Sequence, residues 1–185
     1  RVLGLLVKAD DRTNYPFSTK EYQNVLRHTF WVLPGVAAAK ALSELLKAHE
    51  VFGMFDIVNV AGDGDDDSDN EEALDAVNAA IGENPEETRT ITLSCGRLTA
   101  GVSVKAWTAV FMLYGARKTK AQGYMQTIFR VQTPAIIGGK RKEECYVFDF
   151  APDRILTAID ECIRADTYSK GTKLSAQKAT RSEEH

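Results

Sequence analysis

Residues 29–33 read TFWVL and residues 36–49 read VAAAKALSELLKAH, with Pro34-Gly35 between the two. The first run is short, continuous and apolar, as expected of a strand that is buried on both faces of a sheet. The second is rich in Ala, Leu, Lys and Glu, and its apolar positions recur at helical spacing. A buried strand followed closely by a helix is the repeating unit of a parallel α/β sheet.

The same alternation of short apolar runs and helical patterns extends in both directions from this unit. Further strands are predicted over 55–60, 89–94, 109–113 and 145–150. Further helices are predicted over 20–28 (with Ser18 as the cap), 71–81, 121–131 and 152–165. We therefore expect a three-layer α/β open sheet, mainly parallel, whose ligands bind in the loops beyond the carboxyl ends of the strands.

The composition of the 185-residue chain, 44% hydrophobic and 26% charged, predicts one domain that needs neither disulfides nor metal to fold. It excludes the collagen-like, coiled-coil, disulfide-rich and globally disordered classes. No apolar run approaches the ~20 residues of a membrane-spanning helix, so we expect no membrane partner. The chain begins at Arg1 without Met, which favours a cut through a longer protein, or processing.

The three cysteines, Cys95, Cys145 and Cys162, lie too far apart in the sequence for a CxxC-type metal pair. They predict reduced, buried thiols in a cytoplasmic protein, and no metal site is expected.

The net charge of −3 conceals two segments of opposite sign. Residues 63–72 (DGDDDSDNEE) hold seven acids and no base, and we interpret them as a flexible, hydrated loop. A calcium loop is the less favoured alternative, because Asn70 stands where such a loop needs Gly.

Residues 115–142 hold seven bases and no acid, which indicates either a face for a phosphate-bearing partner or a second solvated loop. These bases are Arg117, Lys118, Lys120, Arg130, Lys140, Arg141 and Lys142.

Two segments carry polar groups suited to phosphate. Leu98–Val104 (LTAGVSV) follows a predicted strand, and its Thr hydroxyl and Gly suit contact with phosphate or ribose. In Tyr124–Arg130 (YMQTIFR), Gln126 and Arg130 are four residues apart and so share one helix face, where both side chains can bind phosphate oxygens. Taken alone, each segment also fits an ordinary turn or a solvated helix face.

The sequence has no G-x-x-x-x-G-K-[ST] P-loop, so we do not expect this chain to bind a triphosphate by that means.

In this order, on either side of the 109–113 strand, the two segments resemble motifs V and VI of the second RecA-like domain of superfamily 2 helicases. The resemblance is nearest to the restriction-enzyme translocases of types I and III. Thr29–Val36 and the helix after it are similar to motif IV. The RecA-like helicase domain would cover residues 29–165, after a lead-in segment (1–28) and before a frayed or disordered tail (166–185).

The resemblance implies the C-terminal motor domain of an ATP-dependent DNA helicase or translocase, associated with restriction and modification, with RNA as an alternative substrate. The N-terminal RecA-like domain of the same polypeptide would supply the P-loop and hold most of the ATP and Mg²⁺. The resemblance makes Arg130 the catalytic arginine finger and implies nucleotide contacts from Gly101, Ser103 and Gln126. It implies nucleic-acid contacts from Pro34, Gly35, Thr99, Arg117, Lys118 and Lys120.

The segments depart from the family pattern at three positions: Ser103 stands for an Asp of motif V, and Phe129 and Thr133 stand for the Gly and second Arg of motif VI. The runner-up interpretation is a non-catalytic α/β module that binds nucleic acid or protein through the same basic face.

Overall fold

The structure, a computed structural model, describes residues 6–8, 16–62, 67–99, 102–115, 121–151 and 153–165. Its strands are β1 (His28–Val32), β2 (Asp56–Asn59), β3 (Thr90–Ser94), β4 (Ala109–Met112), β5 (Ile136–Ile137), β6 (Lys140–Arg141) and β7 (Tyr146–Asp149). Its α-helices are α1 (Lys20–Val25), α2 (Val36–Lys47), α3 (Asp67–Ile81), α4 (Ala121–Ile128) and α5 (153–165). Two 3₁₀ turns cover Phe52–Met54 and Phe129–Gln132.

Five strands form one sheet in the order β2-β3-β1-β4-β7, and all four neighbouring pairs are parallel. The strands β5 and β6 form a separate antiparallel hairpin. Every residue of β1, β3 and β4 is buried, because these strands lie in the middle of the sheet with helices on both faces. The expected three-layer, mainly parallel α/β architecture is confirmed.

Successive side chains of β1 pack into opposite cores, as the two-residue repeat of a strand requires. Phe30 belongs to the core under α3 and α4, where its ring stacks on Trp107 at 4.4 Å. Trp31 belongs to the core under α2, with Phe17 and Phe52. The apolar run that predicted the strand is therefore explained by burial on both faces.

The amino-terminal part of the chain contributes to this second core. Leu26 and Phe17 are almost fully buried, and the Phe17 backbone N–H donates to the Leu6 carbonyl. Helix α1 ends at Val25, earlier than predicted, and its cap is Thr19 rather than Ser18. The Thr19 hydroxyl accepts the Tyr22 N–H at 3.3 Å.

The interpretation of residues 63–72 as a hydrated loop is wrong where the structure describes them, because α3 begins at Asp67. Acidic side chains in the first turn of a helix are favoured by the helix dipole, so this run of acids is compatible with a helix start. Residues 63–66 lie outside the described part.

The expectation of buried thiols is wrong as well: Cys95 and Cys145 are half-buried and Cys162 is exposed.

None of the helices in the described ranges is long and apolar enough to cross a bilayer.

Candidate site at the carboxyl edge of the sheet

Because the five strands are parallel, the loops after β1, β3, β4 and β7 meet at one edge of the sheet. The loops after β1, β4 and β7 surround an apolar cavity of about 460 Å³ at this edge. Its lining includes Pro34, Tyr114, Gly115, Phe150 and Ala151. Pro34 is exposed there, and the half-buried Gly35 is the residue from which α2 begins. Both predicted motif IV positions therefore lie at the edge where α/β sheets bind ligands.

The loop after β3 is a tight turn held by its own polar groups. The Ser94 hydroxyl donates to the Arg97 carbonyl at 2.5 Å, and the Thr99 hydroxyl donates to the Gly96 carbonyl at 2.6 Å. Leu98 has φ +61°, a backbone conformation that is unfavourable for a leucine. Its side chain is 1% exposed, so burial of that side chain holds the strained residue in place.

Helix α3 holds this turn from the outside. Arg97 Nη2 lies 2.5 Å from Asp69 Oδ2, and the Leu98 N–H donates to Asn70 Oδ1 at 3.1 Å. The Arg97 guanidinium lies against Gly62, where an added Cβ would come within 2.4 Å of Arg97 Cζ. Two residues of the acidic segment therefore position the loop that resembles motif V.

Arg130 joins that loop to the segment that resembles motif VI. It lies in the 3₁₀ turn after α4, and its Nε donates to the Thr99 carbonyl at 3.3 Å and to the Gln126 carbonyl at 3.1 Å. Its Nη1 donates to the Val102 carbonyl. Its Nη2 has no acceptor among the described residues. Three carbonyls of the described residues thus orient the guanidinium.

The structure brings Thr99, Gln126 and Arg130 together and leaves Gln126 exposed one helical turn before Arg130. Ser103 follows Val102 in the same loop, and its side chain is exposed. The remaining candidates, Gly101, Arg117, Lys118 and Lys120, lie outside the described residues.

The four bases of residues 115–142 that the structure describes (Arg130, Lys140, Arg141 and Lys142) do not share one face. Lys142 Nζ donates to the carbonyls of Lys105, Trp107 and Val131 at 3.0–3.1 Å, and burial lowers the pKa of this amine. Lys140 lines a cavity beside His28, the first residue of β1, at the opposite edge of the sheet from Pro34. A single face made of all seven bases is therefore wrong, because the β5–β6 hairpin places Lys140 away from the carboxyl edge.

A buried ion pair at the carboxyl edge is invisible in the sequence. Arg154 Nε lies 3.2 Å from Asp149 Oδ2, and both side chains are 1% exposed. Arg154 also donates to the Tyr114 carbonyl, with its Cζ 4.0 Å from the centre of the Tyr114 ring. Burial, and then the charge of Asp149, which hydrogen-bonds the phenol, raise the pKa of Tyr124.

The contacts among Asp149, Arg154, Tyr114 and Tyr124 connect β7 and α5 to the loop after β4 and to α4. They therefore stabilise the helix that precedes Arg130. Helix α5 makes a second tie, since Glu161 Oε2 accepts the Ala121 N–H at the start of α4, at 2.9 Å. The only sequence signal for the ion pair is an Asp at a strand end and an Arg in the following helix, and exposed pairs show the same pattern.

No protein-family model matches the chain. In an alignment of 174 residues that covers 89% of the chain, it is 34% identical to a Mycoplasma pneumoniae protein provisionally named as the C-terminus of a type II restriction enzyme and methyltransferase, RM.MpnORF110P. The aligned part is 22% of that protein, so the chain spans about a fifth of the length of the relative it matches.

Proposed function

We propose that this chain is the C-terminal RecA-like motor domain of an ATP-dependent DNA translocase or helicase that serves a restriction–modification system. The observation that carries the proposal is the contact of the Arg130 guanidinium with the Thr99 and Val102 carbonyls. One side chain thereby links the two segments that resemble motifs V and VI at the ligand-binding edge of a parallel sheet. The relative's name, which includes a restriction enzyme, supports the biological setting.

Arg130 supplies a guanidinium group, and two exposed residues at or next to its backbone contacts, Gln126 and Ser103, supply an amide and a hydroxyl. Such donors fit phosphate oxygens better than they fit Mg²⁺, which prefers carboxylates. The metal and most of the ATP would therefore be held by a second RecA-like domain of the same polypeptide. When bound there, Mg²⁺ neutralises charge on the transferred phosphate.

In this assembly Arg130 stabilises negative charge on the γ-phosphate through Nη2, while Nε and Nη1 keep the guanidinium fixed to the loop. Preorganised cations of this kind are worth about 10³–10⁵ in turnover in related phosphoryl transfers. DNA would run across the neighbouring loops, at Pro34, Gly35 and Thr99. Movement of the loop that Arg130 holds would then couple the nucleotide state to the DNA contacts.

The test replaces Arg130 in the complete parent polypeptide. Arg130→Ala should reduce DNA-stimulated ATP turnover by at least about 10²-fold while DNA binding persists. Arg130→Lys can still donate to the loop carbonyls but lacks the guanidinium fork, so it should keep the thermal unfolding midpoint and still lose turnover.

The matched control is Arg164→Ala, which removes an exposed arginine of α5 that pairs with Asp160 at 2.8 Å. It should change neither turnover nor DNA binding. Unchanged turnover in Arg130→Ala would contradict the proposed motor and favour a binding module.

A further inference from the structure

A second concentration of charge lies at the opposite, amino-terminal edge of the sheet. Arg27 and Arg89 directly precede the first residues of β1 and β3, which are neighbours with His28 paired to Thr90. The Thr90 N–H donates to the Arg27 carbonyl at 2.8 Å, so the two arginines start from adjacent strands. Neighbouring strands lie only about 4.8 Å apart, and like charges at such positions repel each other.

Both guanidinium groups donate to one neutral oxygen. Asn24 Oδ1 accepts Nη2 of Arg27 at 3.2 Å and Nη2 of Arg89 at 2.8 Å. Neither arginine is within ion-pair distance of a carboxylate in the described part of the chain. The amide holds the two cations side by side without cancelling either charge.

The electrostatics of the pair agree with this geometry. The pKa of Arg27 is lowered by burial and then by the charge of Arg89, whereas the charge of Glu86 raises it. Glu86 therefore attracts Arg27 from beyond ion-pair distance, and the repulsion from Arg89 outweighs this attraction.

A cavity of about 470 Å³ opens beside Arg27. Arg89 is not part of its wall but donates to Asn24, which is. Arg27 and Asn24 form part of its wall, Lys140 contributes a third cation, and Glu21 and Glu86 contribute carboxylates. A tetrahedral phosphate presents acceptor oxygens in several directions and suits cations that approach from separate elements, whereas a planar carboxylate is satisfied by one arginine fork.

We propose that Arg27, Arg89 and Lys140 form a phosphate-binding site at the amino-terminal edge of the sheet. The phosphate comes either from a small phosphorylated molecule or from a nucleic-acid backbone. The site is distinct from the Arg130 edge and does not depend on the proposed motor function.

The first experiment measures thermal unfolding of the full chain with inorganic phosphate or with chloride at equal ionic strength. Phosphate at several times its dissociation constant should raise the unfolding midpoint by about 2–4 °C. The double variant Arg27→Gln/Arg89→Gln should lose this difference. The control Lys47→Gln/Arg164→Gln, which removes two exposed cations on α2 and α5, should retain it.

Two further variants sharpen the outcome. Glu86→Gln removes a competing carboxylate and should increase the phosphate-dependent shift. Arg27→Gln alone should reduce the shift if the double variant is too unstable to measure. No shift of the unfolding midpoint in the wild type would overturn the proposal. Equal shifts in the wild type and in the arginine variants would also overturn it, because phosphate stabilises proteins generally by exclusion from their surface.

A second arm identifies the source of the phosphate. Short duplex DNA is bound to the wild type and to the double variant in phosphate-free buffer. Weaker binding by the variant assigns the site to a nucleic-acid backbone, and equal binding assigns it to a small phosphorylated molecule.

Discussion

His28 is a buried polar residue of the sheet whose two ring nitrogens both have hydrogen-bond partners. Its ring is held at both nitrogens, with Nδ1 2.9 Å from Thr90 Oγ1 and Nε2 2.7 Å from the Pro85 carbonyl. Because a carbonyl can only accept, Nε2 carries the hydrogen, and Nδ1 of the neutral ring accepts from the Thr90 hydroxyl. Burial lowers the pKa of His28, the neighbouring charge of Arg27 lowers it further, and the Pro85 bond opposes both.

This environment predicts a pH dependence of stability with a definite sign. The pKa of His28 in the folded chain lies below its value of about 6.5 in the unfolded chain. At pH values between these two pKa values, the unfolded chain therefore binds more protons than the folded chain. The free energy of unfolding should therefore decrease as the pH falls below about 6.5. His28→Gln, which can still donate to Pro85 and accept from Thr90, should flatten that decrease.

The measurement is urea unfolding at pH 7.5 and pH 5.0. His49→Gln serves as the control for loss of an imidazole elsewhere. The His49 ring lies after α2, accepts the nearby Val51 N–H at 3.1 Å and lies 5.0 Å from the Phe52 ring. A pH slope in His28→Gln as steep as that of the wild type would refute the assignment to His28.

At the scale of elements, α5 offers an internal comparison between two Arg–Asp pairs. Arg154 and Asp149 are buried to 1% exposure, whereas Arg164 and Asp160 keep 76% and 57% of their side-chain surface. Arg154→Met should lower the free energy of unfolding by about 3–5 kcal/mol, because it leaves the buried Asp149 carboxylate without its cation. Arg164→Met should cost less than about 1 kcal/mol, because that pair is exposed to water.

Urea unfolding of both variants checks this comparison. Asp149→Asn combined with Arg154→Met should recover part of the loss, since the uncompensated charge is then gone. Equal costs for Arg154→Met and Arg164→Met would mean that the buried pair does not hold the edge of the sheet together.

The predictability of each element followed from its burial. The strands β1, β3 and β4 were predicted within about one residue, because central strands of a parallel sheet show continuous apolar runs. The start of α3 is not predictable from the sequence, because a run of acids is typical of solvated groups. In the structure Asp69 and Asn70 instead bind the turn after β3. The β5–β6 hairpin was missed because two-residue strands leave no periodic pattern.

The candidate site was predictable to the extent that its residues are adjacent in sequence or follow strand ends. Gln126 and Arg130 follow from helical spacing, and Thr99 follows from its place after a strand. The contact of Arg130 with the loop depends on tertiary packing of α4 against that loop, which no spacing encodes. The three hydrogen bonds from Lys142 to backbone carbonyls likewise form only in the folded chain. The number of bases in the sequence is therefore larger than the number free to bind phosphate.

At the scale of the whole molecule, the proposed motor places only half of an ATP site in this chain. The sequence lacks a P-loop, and the chain aligns with 22% of its relative. The isolated chain should therefore release no phosphate from ATP, with or without DNA, because Arg130 stabilises charge on a phosphate that a second domain must hold. The parent polypeptide should hydrolyse ATP under the same conditions. Phosphate release by the isolated chain that Arg130→Ala abolishes would contradict this division, since the complete site would then lie within these 185 residues.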